Sequence, residues 1–150
     1  NRIKYKGREV VDFASAEKPG TIIINTRERA LYQVMPDGQA MRYLVAVGKE
    51  GFSWSGTARV GMKRENPTWT PPPEMIARQP DVPRHMKGGD PANPLGTHAM
   101  YLGSTLYRIH GSPDAGSVGE AESSSCFRMR NTDVADLYQR VPVGTTVVVK

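Results

Sequence analysis

The sequence predicts a mainly β fold with short helices. Two observations carry the prediction. Apolar runs are short and bounded by turn-forming residues, as half-buried or core strands require. Glycine and proline, at 15 and 12 of 150 residues, favour many turns over long helices. A chain of 150 residues can bury one sizeable core, so one domain over 1–150 is expected.

The elements follow in order. Thr21-Ile22-Ile23-Ile24 reads as a strand, Asn25 to Arg29 as a polar turn, and Ala30 to Met35 as the returning strand of a hairpin. Pro36-Asp37-Gly38-Gln39 is a turn signal: proline presets φ, aspartate bonds to nearby backbone, and glycine tolerates positive φ. Ala40 to Val47 supplies a third strand of an antiparallel meander, closed by Gly48 to Gly51. Phe52 to Val60 reads as a strand with an aromatic stripe. Pro67 to Pro73 is too rich in proline for a central strand or a helix interior. Glu74 to Arg78 can make one or two helical turns after those prolines, ended by Pro80 and Pro83. Gly88 to Gly96 reads as an irregular loop.

Thr105 to Ile109 alternates and is expected to be a strand with His110 at its end. Gly111 to Ser125, rich in Gly, Ser, Asp and Glu, reads as a mobile loop. Asn131 or Thr132 is expected to cap a helix running through Gln139, with Val134, Leu137 and Tyr138 as its apolar face. Gly144 breaks into a final strand over Thr145 to Val149.

Composition excludes some functions and leaves others open. The formal charge of +5 favours an anionic partner without choosing one. No basic stripe or clustered recognition segment supports nucleic-acid binding. The three histidines, at 85, 98 and 110, lack zinc-motif spacing, and neither GxxxxGK nor GxGxxG occurs; neither a metal nor another cofactor is expected. No run of eighteen apolar residues could span a bilayer. The chain opens on Asn1-Arg2-Ile3-Lys4 without a secretory signal, which leaves its compartment open.

The one cysteine, Cys126, follows His110 by sixteen residues. A lone thiol with a histidine elsewhere in the chain reads either as a nucleophile activated by that imidazole or as a small buried hydrophobe. Acyl chemistry needs a thiolate, a base to take and return its proton, and donors for the tetrahedral oxygen. Cys126 and His110 can supply the first two. Ser123-Ser124-Ser125 can expose the sulfur and aim backbone N–H groups at it. Arg128, two positions on, can share a strand face with Cys126 and hold an anion or favour the thiolate. The bland readings are a structural His110 and a surface Arg128.

From His110 to Arg128 the sequence resembles the catalytic domain of the bacterial L,D-transpeptidases, the YkuD or ErfK/YbiS type. His110-Gly111 matches the histidine-glycine pair of their signature, and Ser123, Cys126, Phe127 and Arg128 match the segment around its cysteine. Pro19-Gly20-Thr21, Gly51 to Gly56, Trp69 to Pro72, Gly88-Gly89, Asn93 to Gly96, Tyr107 to Ile109 and Val143 to Val147 resemble framework segments of the same family, so the likeness covers nearly the whole chain. There are three departures. Ser125 stands where the family usually has glycine, Ser124 where many members have a second histidine, and Phe127 where isoleucine or valine is commoner.

The resemblance implies a β-sandwich with short helices and a long active-site loop, in a periplasmic or cell-envelope enzyme acting on peptidoglycan stem peptides. Cys126 would attack the carbonyl at the L-centre of a diamino acid in a donor tetrapeptide, release D-alanine and form a thioester. An amine of a second stem would resolve it to a 3→3 cross-link. His110, with Gly111 beside it, would serve as base, and backbone N–H groups at Ser125 and Cys126 would steady the oxyanion. Arg128 would position the site or meet a substrate carboxylate. Ser123, Ser124, Tyr107, His98, Trp69 and Ser112 are the expected substrate-binding residues. For Tyr107, Trp69 and His98, and equally for Thr97 and Asn93, core packing or surface placement is the rival reading. Acylation by carbapenems is also implied. The alternatives are an L,D-carboxypeptidase, an enzyme attaching or releasing an outer-membrane protein or lipoprotein, and a peptidoglycan-binding module impaired by Ser125.

Overall fold

The computed structural model describes residues 7–48, 54–71, 73–81, 85–90, 93–105, 107–112, 121–122 and 127–150. Among them lie eleven strands and two helices: β1 (Glu9–Asp12), β2 (Ile22–Asn25), β3 (Ala30–Met35), β4 (Gln39–Leu44), β5 (Ala46–Gly48), β6 (Gly56–Glu65), α1 (Pro73–Arg78), β7 (His98–Leu102), β8 (Arg108–His110), β9 (Ala121–Glu122), β10 (Phe127–Arg128), α2 (Asn131–Arg140) and β11 (Thr146–Val149). The strands run in the order β1-β4-β3-β2-β11-β6-β7-β8-β10-β5-β9. The fold is mainly β, as expected.

The ladder folds back on itself at β6, whose Gly56 to Arg59 pair with β11 while Val60 and Met62 to Glu65 pair with β7. The register shifts between Val60 and Met62, at Gly61, where a Cβ would stand 3.4 Å from the Gly103 Cα. The two halves close on one core. Ile22, Ile24, Leu31, Tyr43 and Val147 from the first half meet Val47, Met100, Ile109 and Phe127 from the second, together with Val134 and Leu137 of α2. A smaller cluster of Ile23, Tyr32, Val34 and Ala40 lies on the outer face of the first half, with Val11 and Phe13 packed against it. Covered on both faces, β2 is apolar throughout its Ile22-Ile23-Ile24 run rather than alternating.

The β2–β3–β4 meander forms where expected. Its second turn places both Asp37 and Gly38 at positive φ, 65° and 72°, as tight hairpin turns require. Pro73 opens α1 at the first helical position.

Several expectations are corrected. The single strand over Ala40 to Val47 is two strands, β4 and β5, because the chain crosses from one half to the other at the buried Val45. The strand ending at Val60 continues to Glu65, held there by main-chain pairing with β7 rather than by apolar side chains. Thr105 lies in a turn and its strand begins at Arg108, with His110 at its end as expected. In the stretch read as a mobile loop, Gly111 and Ser112 are buried, the Gly111 N–H donates to the His98 carbonyl at 3.1 Å, and Ala121–Glu122 form a strand parallel to β5. Residues 113–120 and 123–125 of that stretch, and Cys126 after it, lie outside the described residues. Neither Asn131 nor Thr132 caps α2: the cap position is Arg130, in extended conformation and without a side-chain bond. The apolar face does form, with Val134 and Leu137 fully buried and Tyr138 packed beside them.

Candidate functional site

His110 closes the short strand β8 and is only 3% exposed. It pairs with Ala99 of β7 on one side and with Arg128 of β10 on the other. Partners directly across a ladder share a face, and residues two apart along a strand do too. His110, Arg128, Arg108 and the Arg108 partner Tyr101 therefore occupy one face. Ile109, Met100 and Phe127 occupy the other and form core.

The imidazole Nδ1 lies 2.6 Å from the Gly111 carbonyl oxygen. A carbonyl only accepts, so Nδ1 carries the proton in this bond, and in a neutral ring Nε2 is left with its lone pair. Burial drives the imidazole pKa down to about 4; the Gly111 bond acts upward, and the Arg128 and Arg108 charges act downward. At neutral pH the ring is an uncharged base with a fixed tautomer.

Gly111 is held by close packing. A Cβ there would stand 2.2 Å from the Asn131 Oδ1 and 3.0 Å from the Val134 Cγ1. Gly96, at φ +67°, packs from the other side, where a Cβ would meet Asn131 Oδ1 at 2.3 Å and the Gly111 carbonyl carbon at 2.5 Å. Both positions need glycine for close approach. Asn131 Oδ1 also accepts the Thr97 N–H at 3.1 Å, tying the first turn of α2 to the segment leading into β7.

The structure brings His110, Gly111 and Arg128 together, with the buried Ser112 next in the chain. Cys126, Ser123, Ser124 and Ser125 lie outside the described residues; Phe127, which follows Cys126 in the chain, pairs with Ile109 of β8 and Val47 of β5. Tyr107 is placed apart from the imidazole face: its ring stacks on Trp54 at 4.8 Å and faces Phe127 at 6.2 Å. His98 also turns to the opposite face, where it tilts against Tyr138 of α2 at 4.7 Å with Nδ1 2.8 Å from the Thr97 hydroxyl. Burial lowers its pKa, with Glu65 acting upward and Lys63 downward. Trp69 makes an isolated antiparallel bridge to Met86. Asn93 is 1% exposed and knits the loop below, donating to the Pro67 and Lys87 carbonyls and accepting the Leu95 N–H. Among the described residues no group of three His, Cys, Asp or Glu side chains could hold a metal ion.

Sequence reasoning missed two residues here. Asn131 was expected as a helix cap, and Arg108 was not singled out, although its position two before His110 on an alternating strand was the available signal.

Residues 19–149 match the family model described as the L,D-transpeptidase catalytic domain, YkuD. The chain belongs to the L,D-transpeptidase family. A Fuscovulum blasticum protein named for the L,D-transpeptidases, ORF 5 of the ATP synthase subunits region, is 38% identical over 138 residues, 90% of this chain and 71% of its own length. The Escherichia coli K12 protein named probable L,D-transpeptidase ErfK/SrfK is 37% identical over 135 residues, 84% of this chain but 42% of its own length. Among solved structures, a protein from Brucella melitensis named a probable carnitine operon oxidoreductase caia is 45% identical, with 99% of this chain and 96% of that one covered and a TM-score of 0.65. The redox name is that protein's own. The L,D-transpeptidase from Mycobacterium smegmatis, 20% identical over 87% of this chain and 58% of that one with a TM-score of 0.64, shares the sandwich fold.

Proposed function

We propose that residues 1–150 form one catalytic domain of a cysteine-dependent L,D-transpeptidase, working in the periplasm or cell envelope on peptidoglycan stem peptides. The observation that carries this reading is the 2.6 Å contact of His110 Nδ1 with the Gly111 carbonyl, which leaves Nε2 as a buried neutral base. A base in that state can take the thiol proton of Cys126 as the sulfur adds to the carbonyl at the L-centre of a donor tetrapeptide. Collapse of the tetrahedral intermediate breaks the C–N bond. The proton passes from His110 to the departing D-alanine amine, and a thioester remains. An amine of a second stem then adds, loses its proton to His110 and displaces the sulfur, forming a 3→3 cross-link. Backbone N–H groups at Ser125 and Cys126 are the proposed oxyanion donors. Arg128, the cross-strand partner of His110, brings positive charge that favours thiolate and oxyanion alike. A penem or carbapenem would acylate the same sulfur.

The test is mass spectrometry of the chain incubated with disaccharide-tetrapeptide, alongside Cys126→Ala and His110→Gln. The expected result is a cross-linked dimer from the wild type and none from either variant. Loss of D-alanine without dimer would make the chain an L,D-carboxypeptidase. A folded wild-type chain that forms neither adduct nor product would overturn the enzyme reading in favour of a binding module.

A further inference from the structure

Arg108 is a half-buried cation whose charge meets no anion among the described residues. Its Nε atom is inaccessible to solvent and has no hydrogen-bond partner there. Its one described contact is the Tyr101 ring, 5.7 Å from the guanidinium carbon. Cation–π attraction at that distance is modest, so the Tyr101 ring leaves the rest of the guanidinium fork open to a ligand anion. A guanidinium so placed, two residues before the candidate base on the same strand, is suited to hold an anion carried by a ligand.

The placement says where that anion would sit. Arg108 precedes His110 by two residues on β8 and so projects to the same side, while Arg128 faces His110 from β10. Two guanidinium groups thus flank the imidazole, one along its strand and one across the ladder, and both charges are felt by the ring. The planar fork of arginine matches a carboxylate through two parallel hydrogen bonds.

We infer that Arg108 is a substrate-recognition residue that receives a free carboxylate of the donor peptide beside the carbonyl being attacked. The inference rests on the proposed function above. Two such groups lie next to the attacked carbonyl when the diamino acid is of the diaminopimelate type: the terminal carboxylate of the departing D-alanine and the side-chain carboxylate of the diamino acid.

Three donors separate them: the native tetrapeptide, its C-terminal amide, and the tetrapeptide amidated on the diamino-acid side chain. Acylation rates are read by intact-protein mass for the wild type, Arg108→Gln and Arg108→Lys. Amidating the group that Arg108 reads should lower wild-type kcat/KM for acylation about ten- to hundred-fold, the range of a charge-assisted hydrogen bond. Arg108→Gln should bring the acid-to-amide ratio close to one, and Arg108→Lys should retain part of it. A wild type acylated equally by all three donors, or a ratio that survives in Arg108→Gln, overturns the role of Arg108 while leaving the enzyme reading standing. If Arg108→Gln does not fold, the wild-type ratios and Arg108→Lys decide. No acyl adduct with any donor on the wild type defeats the enzyme reading itself, and this inference with it.

Discussion

The carboxamide oxygen of Asn131 accepts the Thr97 amide at 3.1 Å while occupying the space that a methyl group on Gly111 would need. One atom thus serves the segment before β7 and sets the clearance around the carbonyl that orients His110. Gly111→Ala puts a Cβ 2.2 Å from that oxygen, so Asn131 or the Gly111 backbone must move. The expected loss is about 1–3 kcal/mol in urea unfolding, as for overpacked cores, with a fall in acylation rate. Asn131→Ala alone orphans the Thr97 N–H and also destabilises. The two variants should be strongly non-additive, the double losing less than the sum of the singles, because the second change makes room for the first.

The depressed basicity of His110 makes stability depend on pH with a definite sign. Its folded pKa is about 4, below the ordinary 6.5, so between those values the unfolded chain binds the proton and the folded chain does not. Protection is complete above about pH 6.5 and is lost as pH falls toward 4, by about 3 kcal/mol in all. Unfolding free energies of wild type and His110→Gln over pH 4 to 8 should differ in slope inside that window and run parallel above it. Equal slopes would show that the imidazole is not desolvated.

Tyr43 is fully buried, and its hydroxyl donates to Asp136 Oδ2 at 2.7 Å; Arg8 and Arg140 contact the same oxygen at 3.1 and 3.0 Å. Burial alone would raise the Asp136 pKa, but the bonds from Tyr43 and Arg140 outweigh it and the net shift is downward. Its contribution is therefore present above the usual aspartate pKa and fades as pH falls through the folded value. Tyr43→Phe should cost about 2 kcal/mol at neutral pH and reduce the acid sensitivity, since the carboxylate then loses one of its donors. Thermal melts at pH 7 and pH 3 read both effects.

Asn93→Ala removes two donated bonds, to Pro67 at 2.9 Å and Lys87 at 3.2 Å, and one accepted from Leu95 at 2.9 Å. With the site almost sealed from water, the three orphaned groups should cost about 3 kcal/mol together. A midpoint in urea within experimental scatter of wild type would mean that the loop finds other partners.

Much of the fold was legible because local chemistry and tertiary environment agree. The Ile22-Ile23-Ile24 strand, the Pro36-Asp37-Gly38 turn and the Val134/Leu137 face each carry their own signal. The extension of β6 through Met62-Lys63-Arg64-Glu65 did not, since main-chain pairing with β7 leaves no apolar mark on that stretch. Nor did the break at Val45, which is as apolar as the strands it separates. At the candidate site, His110 and Arg128 were visible as motif residues, and their pairing awaited the parallel register of β8 and β10. Asn131 was misread because asparagine at a helix start is ordinarily a cap, whereas here its side chain serves a distant amide.

A strand woven into both layers at once, as β6 is, has a mechanical consequence. Two sheets joined only by loops can slide or gape like the covers of a book; these are stitched along a common spine and must melt together. Opening of the sandwich would then be borne by the connections around it, and slow-exchanging amides should lie in β6 on both sides of the register shift at Gly61.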